Sequence, residues 1–360
     1  MSVARKLKAA HLDGVKSSIL CPEDNYLMLI ENLNSELDAA TWAAENRKFL
    51  EGELAKHGAI LFRGFSVGLT NFEKVVEGIV TKAGFMEYKA GYSPRKKLSE
   101  KVYTSTVFPA ELHINQHQDQ CYLPQFPRKL FLCSEIPAKK GGETPLTSAR
   151  KFMKLIDPKI VERVSSGVLY IRVLSEDAHM SWQDSYWTKE KSEAEKSCRR
   201  QGMRFEWLPN DAMKTFNLSH GLIKHPITGE KLWFNQAHTL SLYSDVPGRD
   251  SPAMRAERNI RSPEKMKILE NTKPIDRFNV VCYSNGKPIE VSILDEIHQI
   301  LEENKFCFTW EKGDFLMMDN LATFHGRNPF EGERLTLATQ AQAWSPDELK
   351  LVKSKPGKRK

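Results

Sequence analysis

The stretch Gly313-Asp314-Phe315-Leu316-Met317-Met318-Asp319-Asn320-Leu321-Ala322-Thr323-Phe324-His325-Gly326-Arg327 decides how the rest of the chain is read. A turn precedes an apolar strand, and the strand leads to a histidine next to a glycine. Other β-rich segments are predicted over residues 130–133, 168–174, 204–207, 231–234, 306–310 and 335–343. Together with 315–319 they form many short strands without strict strand–helix alternation. That pattern argues against a doubly wound parallel sheet. It favours an α+β chain with a β-sandwich or jelly-roll core and helices packed outside.

Helices are predicted around this β framework. Trp42, Phe49 and Leu54 have helical spacing over residues 41–56, Gly58 supplies a stop, and Ala59-Ile60-Leu61-Phe62 reads as a buried strand. Thr70-Asn71-Phe72-Glu73 reads as a capping box opening a helix that Gly84 ends. Further helices are expected over 148–156, 158–164 with Asp157 as N-cap and Pro158 in the first turn, 189–200 and 291–303. Residues 244–271 are polar and rich in Arg, Pro and Ser, and read as a surface loop. No linker divides the body, so residues 1–349 are expected to form one domain, followed by a basic disordered tail over 350–360.

Composition narrows the function classes. A chain of 360 residues, 40% hydrophobic and 28% charged, is neither collagen-like nor disordered as a whole. Its formal net charge of +7 suggests a polyanion partner until it is mapped. Six basic residues and no acidic ones lie in 350–360, so the other 349 residues carry a surplus of only one. A nucleic-acid partner is therefore not expected for the body. No apolar run approaches the roughly 18 residues of a membrane span, and no signal-like stretch follows Met1-Ser2-Val3-Ala4-Arg5-Lys6. A cytoplasmic location is expected, with the tail leaving a nuclear address open. The six cysteines are scattered without a C-x-x-C pair, which suits free thiols and argues against a cysteine zinc site.

The sharpest chemical feature is His117-Gln118-Asp119. On an extended strand, residues i and i+2 project to the same face, so an imidazole nitrogen and a carboxylate oxygen can converge on one ion. Alone, without a third ligand, the pair reads better as two exposed polar residues on one strand face. A third ligand, His325, lies 208 residues downstream. Two histidines and one carboxylate on one face of an octahedral ion leave three positions open, the arrangement of non-haem Fe(II) oxygenases. His113 is a rival ligand four residues before His117.

The phrases around these residues occur in one order: His57-Gly58-Ala59-Ile60-Leu61-Phe62-Arg63-Gly64-Phe65, His117-Gln118-Asp119, Gly141-Gly142-Glu143-Thr144, His225-Pro226-Ile227-Thr228-Gly229 followed by Trp233-Phe234-Asn235, and Gly313-Asp314 through His325-Gly326-Arg327 to Arg334. Over residues 57–343 the chain resembles the taurine dioxygenase/TfdA-like family of Fe(II)- and 2-oxoglutarate-dependent dioxygenases, and within it the clavaminate synthase-like members.

The resemblance implies a double-stranded β-helix, a jelly roll of the cupin kind. It implies that His117, Asp119 and His325 hold Fe(II), while Arg334 and Thr144 receive the distal carboxylate of 2-oxoglutarate and O₂ is the oxidant. A planar guanidinium suits Arg334 to that task through two parallel hydrogen bonds, and Arg327 is its rival. Asn235 is placed near the site, as are Tyr92 and Arg95, while Trp182, Tyr186, Trp187 and Trp233 are candidate pocket aromatics or core. Taurine-type members carry a second arginine a few residues beyond the first. Here that region is Leu335-Thr336-Leu337-Ala338-Thr339-Gln340, which argues against a sulfonate substrate. Halogenating relatives replace the metal carboxylate with a small residue, and Asp119 is present.

The implied activity is hydroxylation or another oxidation of an unactivated C–H of a small molecule, with succinate and CO₂ as co-products. Two other classes stay open. One is a jelly-roll protein that binds a metal or small molecule without turnover, and the other is a nucleic-acid-associated factor acting through the tail. Substrate identity and oligomeric state are not legible.

Overall fold

The apolar run Phe315–Asp319 is a strand buried along its length, in the interior of an eight-stranded sheet. A computed structural model describes residues 14–86, 96–106, 108–178 and 180–346. Strand Phe315–Asp319 pairs antiparallel with Ala59–Arg63 on one side and Phe126–Ile136 on the other. Beyond Ala59–Arg63 lie Tyr26–Asn32, which is parallel to it, and Val15–Cys21 at the edge. Beyond Phe126–Ile136 lies Leu335–Trp344, flanked by the short strands Phe85–Met86 and Tyr103–Thr104.

Alternation along the central strand sorts its side chains into two layers. Phe315 and Met317 face one way and join Phe62 and Phe131, with the Phe131 and Phe315 rings stacked at 5.7 Å. Helices Ala39–Glu45, Arg47–His57 and Phe72–Val80 cover this layer with Trp42, Leu50, Leu54, Val76 and Ile79. Leu316 and Met318 face the other way and pack with Leu61, Leu130, Leu146, Phe308 and Trp310.

A three-stranded sheet of Ile114–His117, Thr323–Arg327 and Leu146–Ser148 stands on that second side, with Thr323–Arg327 in the middle. A separate four-stranded sheet runs Arg204–Leu208, Ala212–Ser219, Val168–Leu174, Asn279–Tyr283. Tyr170 and Val281 of this sheet share a core with Phe152, Ile160, and Leu294, Ile297 and Leu301 of helix Val291–Glu303. Among the described residues the strands pair as separate sheets, and no pairing closes them into a barrel. The α+β class is as expected, and the closed jelly roll is not drawn by these pairings. Among the described residues no helix is long and apolar enough to cross a membrane.

Several local expectations need correction. The predicted helix over 41–56 is two helices, Ala39–Glu45 and Arg47–His57, broken at Asn46, whose side-chain amide donates to the Trp42 carbonyl at 2.9 Å. Thr70 does not cap a helix. Helix Phe72–Val80 starts after Asn71, whose side chain accepts from the Gly68 amide at 2.8 Å, and it ends at Thr81 rather than Gly84.

Residues 244–271 are not a loop throughout, because Pro252–Ile260 and Pro263–Asn271 are helices. Ser251 and Ser262 accept hydrogen bonds from the third amide onward, each followed by proline in the first turn. The Ser-Pro pairs were start signals hidden in a polar composition. Residues 306–310 bury Phe308 and Trp310 but pair only at Phe306, through a bridge to Leu146. Hairpin Val15–Cys21/Tyr26–Asn32 and strand Asn279–Tyr283 were not anticipated.

Candidate metal centre

Strands Ile114–His117 and Thr323–Arg327 run antiparallel, and His117 and His325 are partners in register. Opposite positions on neighbouring strands put side chains on one face at contact distance, and the two imidazole centroids lie 4.5 Å apart. Gly326 permits the approach. A Cβ there would stand 2.5 Å from the Ile114 carbonyl oxygen, so a glycine is required beside the ligand.

Asp119 arrives differently from the sequence expectation. The strand ends at His117 and Asp119 occupies the following turn, so it is turn geometry rather than strand alternation that aims the carboxylate. Asn320 holds that turn. Its side-chain oxygen accepts from the Asp119 amide at 2.8 Å, and its side-chain nitrogen donates to the carbonyls of Asp119 and Pro127, both at 2.9 Å. Asp119 Oδ1 lies 3.3 Å from His117 Nε2 and 3.7 Å from His325 Nε2. One ligand atom from each of the three residues falls within 4.8 Å of the others.

The donor set fits a divalent ion. His117 Nδ1 is 2.8 Å from the Asn115 carbonyl oxygen, which can only accept. Nδ1 therefore donates to that carbonyl, and Nε2 is the ring nitrogen that faces Asp119 and His325 and would meet an ion. Asp119 Oδ2 accepts from Gln340 Nε2 at 2.7 Å. Two imidazole nitrogens and one carboxylate oxygen on one side of a cavity are the 2-His-1-carboxylate triad expected of Fe(II). His113 is exposed and lies outside this group.

The same cavity brings in Arg334 and Thr144, together with Ser105, Thr336 and Ala338, between apolar walls from Leu130, Phe131, Leu132 and Met318. Burial, with the nearby Arg327 cation second, pushes Arg334 down to about 10. Among the described residues its guanidinium has one hydrogen bond, from Nη1 to Ser105 Oγ at 3.5 Å. Thr144 is buried, and its hydroxyl oxygen accepts from Trp310 Nε1 at 3.2 Å, which leaves the hydroxyl hydrogen to donate.

Arg327 also borders the cavity, but its guanidinium is engaged. Nη1 donates to the Phe108 carbonyl at 3.0 Å, and Nη2 to those of Leu112 at 2.7 Å and Pro109. Burial lowers its pKa as well. It ties down the segment that leads into the His117 strand.

Asn235 does not join the cavity. Its amide nitrogen donates to the Gly221 carbonyl at 3.0 Å and its side-chain oxygen accepts from the Ala237 amide at 3.2 Å, so it fixes a turn. Trp182 and Trp233 are core, Tyr186 accepts from Cys198 Sγ, and Trp187 is exposed. None of these four lines the cavity. Tyr92, Arg95 and the tail over 350–360 lie outside the described residues.

The remaining ordered phrases support the centre from behind. His225 Nε2 donates to Asp319 Oδ2 at 2.9 Å, both fully buried, and Asp319 Oδ1 accepts from the Leu321 amide at 3.0 Å. This fixes the corner that carries Asn320. Arg63 pairs through two nitrogens with Asp314, at 2.7 and 3.0 Å, and joins the first phrase to the last.

Asn320 and Gln340 were missed as site residues. Asn320 stood in plain view at the end of the central strand, but nothing local says that it reaches Asp119. Gln340 had a signal, since period two from Arg334 passes through the cavity residues Thr336 and Ala338 to Gln340.

Comparison with known proteins adds independent weight. The model of the family described as taurine catabolism dioxygenase TauD, TfdA family matches residues 29–340. The chain is 31% identical over 282 residues to the dapdiamide synthesis protein DdaC of Enterobacter agglomerans, covering 78% of this chain and 81% of that one. It is 32% identical over 307 residues to a clavaminate synthase-like protein of Arabidopsis thaliana, covering 81% and 84% respectively. Among solved structures, the PvcB protein from Pseudomonas aeruginosa superimposes with a TM-score of 0.50 over 93% of both chains at 14% identity. A taurine dioxygenase from Burkholderia xenovorans gives a TM-score of 0.50 over 93% of this chain and 92% of that one, also at 14% identity. At such identities the structures speak for the fold alone.

Proposed function

The chain belongs to the TauD, TfdA dioxygenase family, and from that premise we propose that it is an Fe(II)- and 2-oxoglutarate-dependent oxygenase. Its reaction is the hydroxylation, or another oxidation, of an unactivated C–H in a small molecule, with 2-oxoglutarate and O₂ consumed and succinate and CO₂ released. The observation that carries the reading is the meeting, in one cavity, of the triad with a half-buried arginine whose guanidinium, among the described residues, has one long hydrogen bond. In this reading residues 1–349 act as one domain, and the large and small sheets are the two halves of a double-stranded β-helix.

His117, Asp119 and His325 would hold the iron, which when bound with 2-oxoglutarate and O₂ supplies the oxidising power. The protein's own residues do the rest. Arg334 and the Thr144 hydroxyl grip the distal carboxylate, one by a planar fork and the other by a single O–H. Leu130, Phe131, Leu132 and Met318 keep water from the cavity walls. Arg327 remains with the carbonyls of 108–112. Where taurine-type members carry a second arginine, Ala338 and Thr339 line the cavity, which supports a substrate other than a sulfonate.

The direct test is anaerobic addition of ferrous iron and 2-oxoglutarate. Chelation of iron by the 2-oxo acid is expected to give a weak visible absorption band, and air with fractionated metabolites is expected to release succinate in the fraction that holds the substrate. A protein that binds metal but shows no band and no succinate with any fraction is not this enzyme.

Gly142 gives a finer test. Its φ is +73°, and a Cβ there would stand 3.1 Å from Arg334 Nε and 3.0 Å from Ala138 Cβ. Gly142→Ala is expected to displace the arginine and raise the 2-oxoglutarate KM by about tenfold, with metal affinity unchanged. The backbone strain and crowding cost about 1–3 kcal/mol of stability, read as a lower denaturation midpoint. An unchanged KM removes Arg334 from the co-substrate site.

A further inference from the structure

We propose that Gln340 is a positioning residue that restricts Asp119 to one ligating oxygen; this rests on the iron-binding reading of the triad. The carboxylate is divided between two tasks. Oδ1 faces the histidine nitrogens at 3.3 and 3.7 Å, while Oδ2 accepts from Gln340 Nε2 at 2.7 Å. The donor is a neutral amide, so it occupies Oδ2 without neutralising the charge that Oδ1 offers to a cation.

Gln340 cannot easily turn away. It is 1% exposed, and its backbone sits inside strand Leu335–Trp344, opposite Leu130 on one side and Met86 on the other. The other end of the arrangement is equally fixed, because Asn320 holds the Asp119 peptide groups from both sides. Backbone clamp and side-chain donor together leave the carboxylate one orientation.

The consequence is a matter of counting. Two histidines and one carboxylate oxygen fill three of six positions on an octahedral ion. A bidentate co-substrate takes two more and leaves one for O₂. A carboxylate that turned both oxygens onto the ion would take the last position. Partners beyond the ligands that set such orientations are worth about 10–100-fold in metal affinity or activity.

The test uses the full chain and two variants. Gln340→Met keeps the length and removes the donor, and Gln340→Glu keeps the shape but faces a carboxylate with a second oxygen. Mn(II) affinity is measured by titration, and coordination by the visible spectrum of the Co(II)-loaded protein, with circular dichroism as the check on folding. Wild type is expected to bind one Mn(II) per chain. Folded Gln340→Met is expected to bind Mn(II) about tenfold more weakly and to give a Co(II) spectrum altered in band position and intensity.

A folded variant with wild-type Mn(II) affinity and Co(II) spectrum overturns the proposal. If neither variant folds, Gln340 is a structural residue of the sheet and the proposal also falls. Failure of the wild type itself to bind Mn(II) sinks the iron-binding reading instead, so the two failures are distinguishable.

Discussion

His117→Ala is expected to abolish the visible band formed by ferrous iron and 2-oxoglutarate, and to lower succinate formation by about 10³-fold or more. The imidazole is one of only three ligands, whereas supporting partners alone are worth about 10–100-fold. Folding should survive, because His117 is only half-buried and ends a strand that stays paired through Ile114 and Arg327. Anaerobic absorption and single-turnover succinate measurement are the checks, with circular dichroism to confirm the fold. An intact band means that His117 is not a ligand.

Arg334→Met is expected to raise the 2-oxoglutarate concentration for half-maximal rate by about 10²–10³-fold while Mn(II) affinity stays near wild type. Removing one member of a buried, hydrogen-bonded charge pair costs about 2–5 kcal/mol. Arg334→Lys restores the charge without the planar fork and should recover only part of the loss. The unliganded protein carries this cation against burial and against Arg327.

A base whose folded pKa is pushed down from its ordinary value to about 10 destabilises the fold at every pH below that point, and the penalty is relieved as pH rises through it. A bound dicarboxylate offsets the penalty. Mn(II) with 2-oxoglutarate should therefore raise the melting temperature of wild type more than that of Arg334→Met. An equal rise in both, with equal KM, would move the co-substrate cation to Arg327.

Much of the site was legible because its residues are chemically scarce and ordered. His117, Asp119, His325, Thr144 and Arg334 line one cavity. Asn235 did not, because a carboxamide that stabilises a turn and one that meets a ligand look the same in sequence. Strands 168–174 and 315–319 and helices 158–164 and 291–303 carried their own periodicity or caps and were read to the residue.

The helices Pro252–Ile260 and Pro263–Asn271 were concealed by polar faces, since Ala253, Met254, Met266 and Leu269 are the side chains that they give to the apolar cluster. The turn that aims Asp119 was illegible for a different reason. Asn320, which holds it, is 201 positions away in the chain, and no local pattern records a contact at that separation.

The pairing of His117 with His325 across one rung also sets where the chain tolerates changes in length. A single-residue insertion inside Ile114–His117 would slip the register and send one imidazole to the opposite face. The four-stranded sheet lies, in chain order, between the second and third ligands, yet among the described residues it shares no strand pairing with either sheet of the metal centre. The connection between Val168–Leu174 and Arg204–Leu208 can lengthen or shorten without moving a rung beneath the ligands, whereas the one that carries His225 and His238 is tied to Asp319 and to the Gln116 carbonyl. The molecule thus separates a part whose spacing is fixed to the residue from a part whose spacing is free, and new substrate contacts can be tried in the second without rebuilding the first.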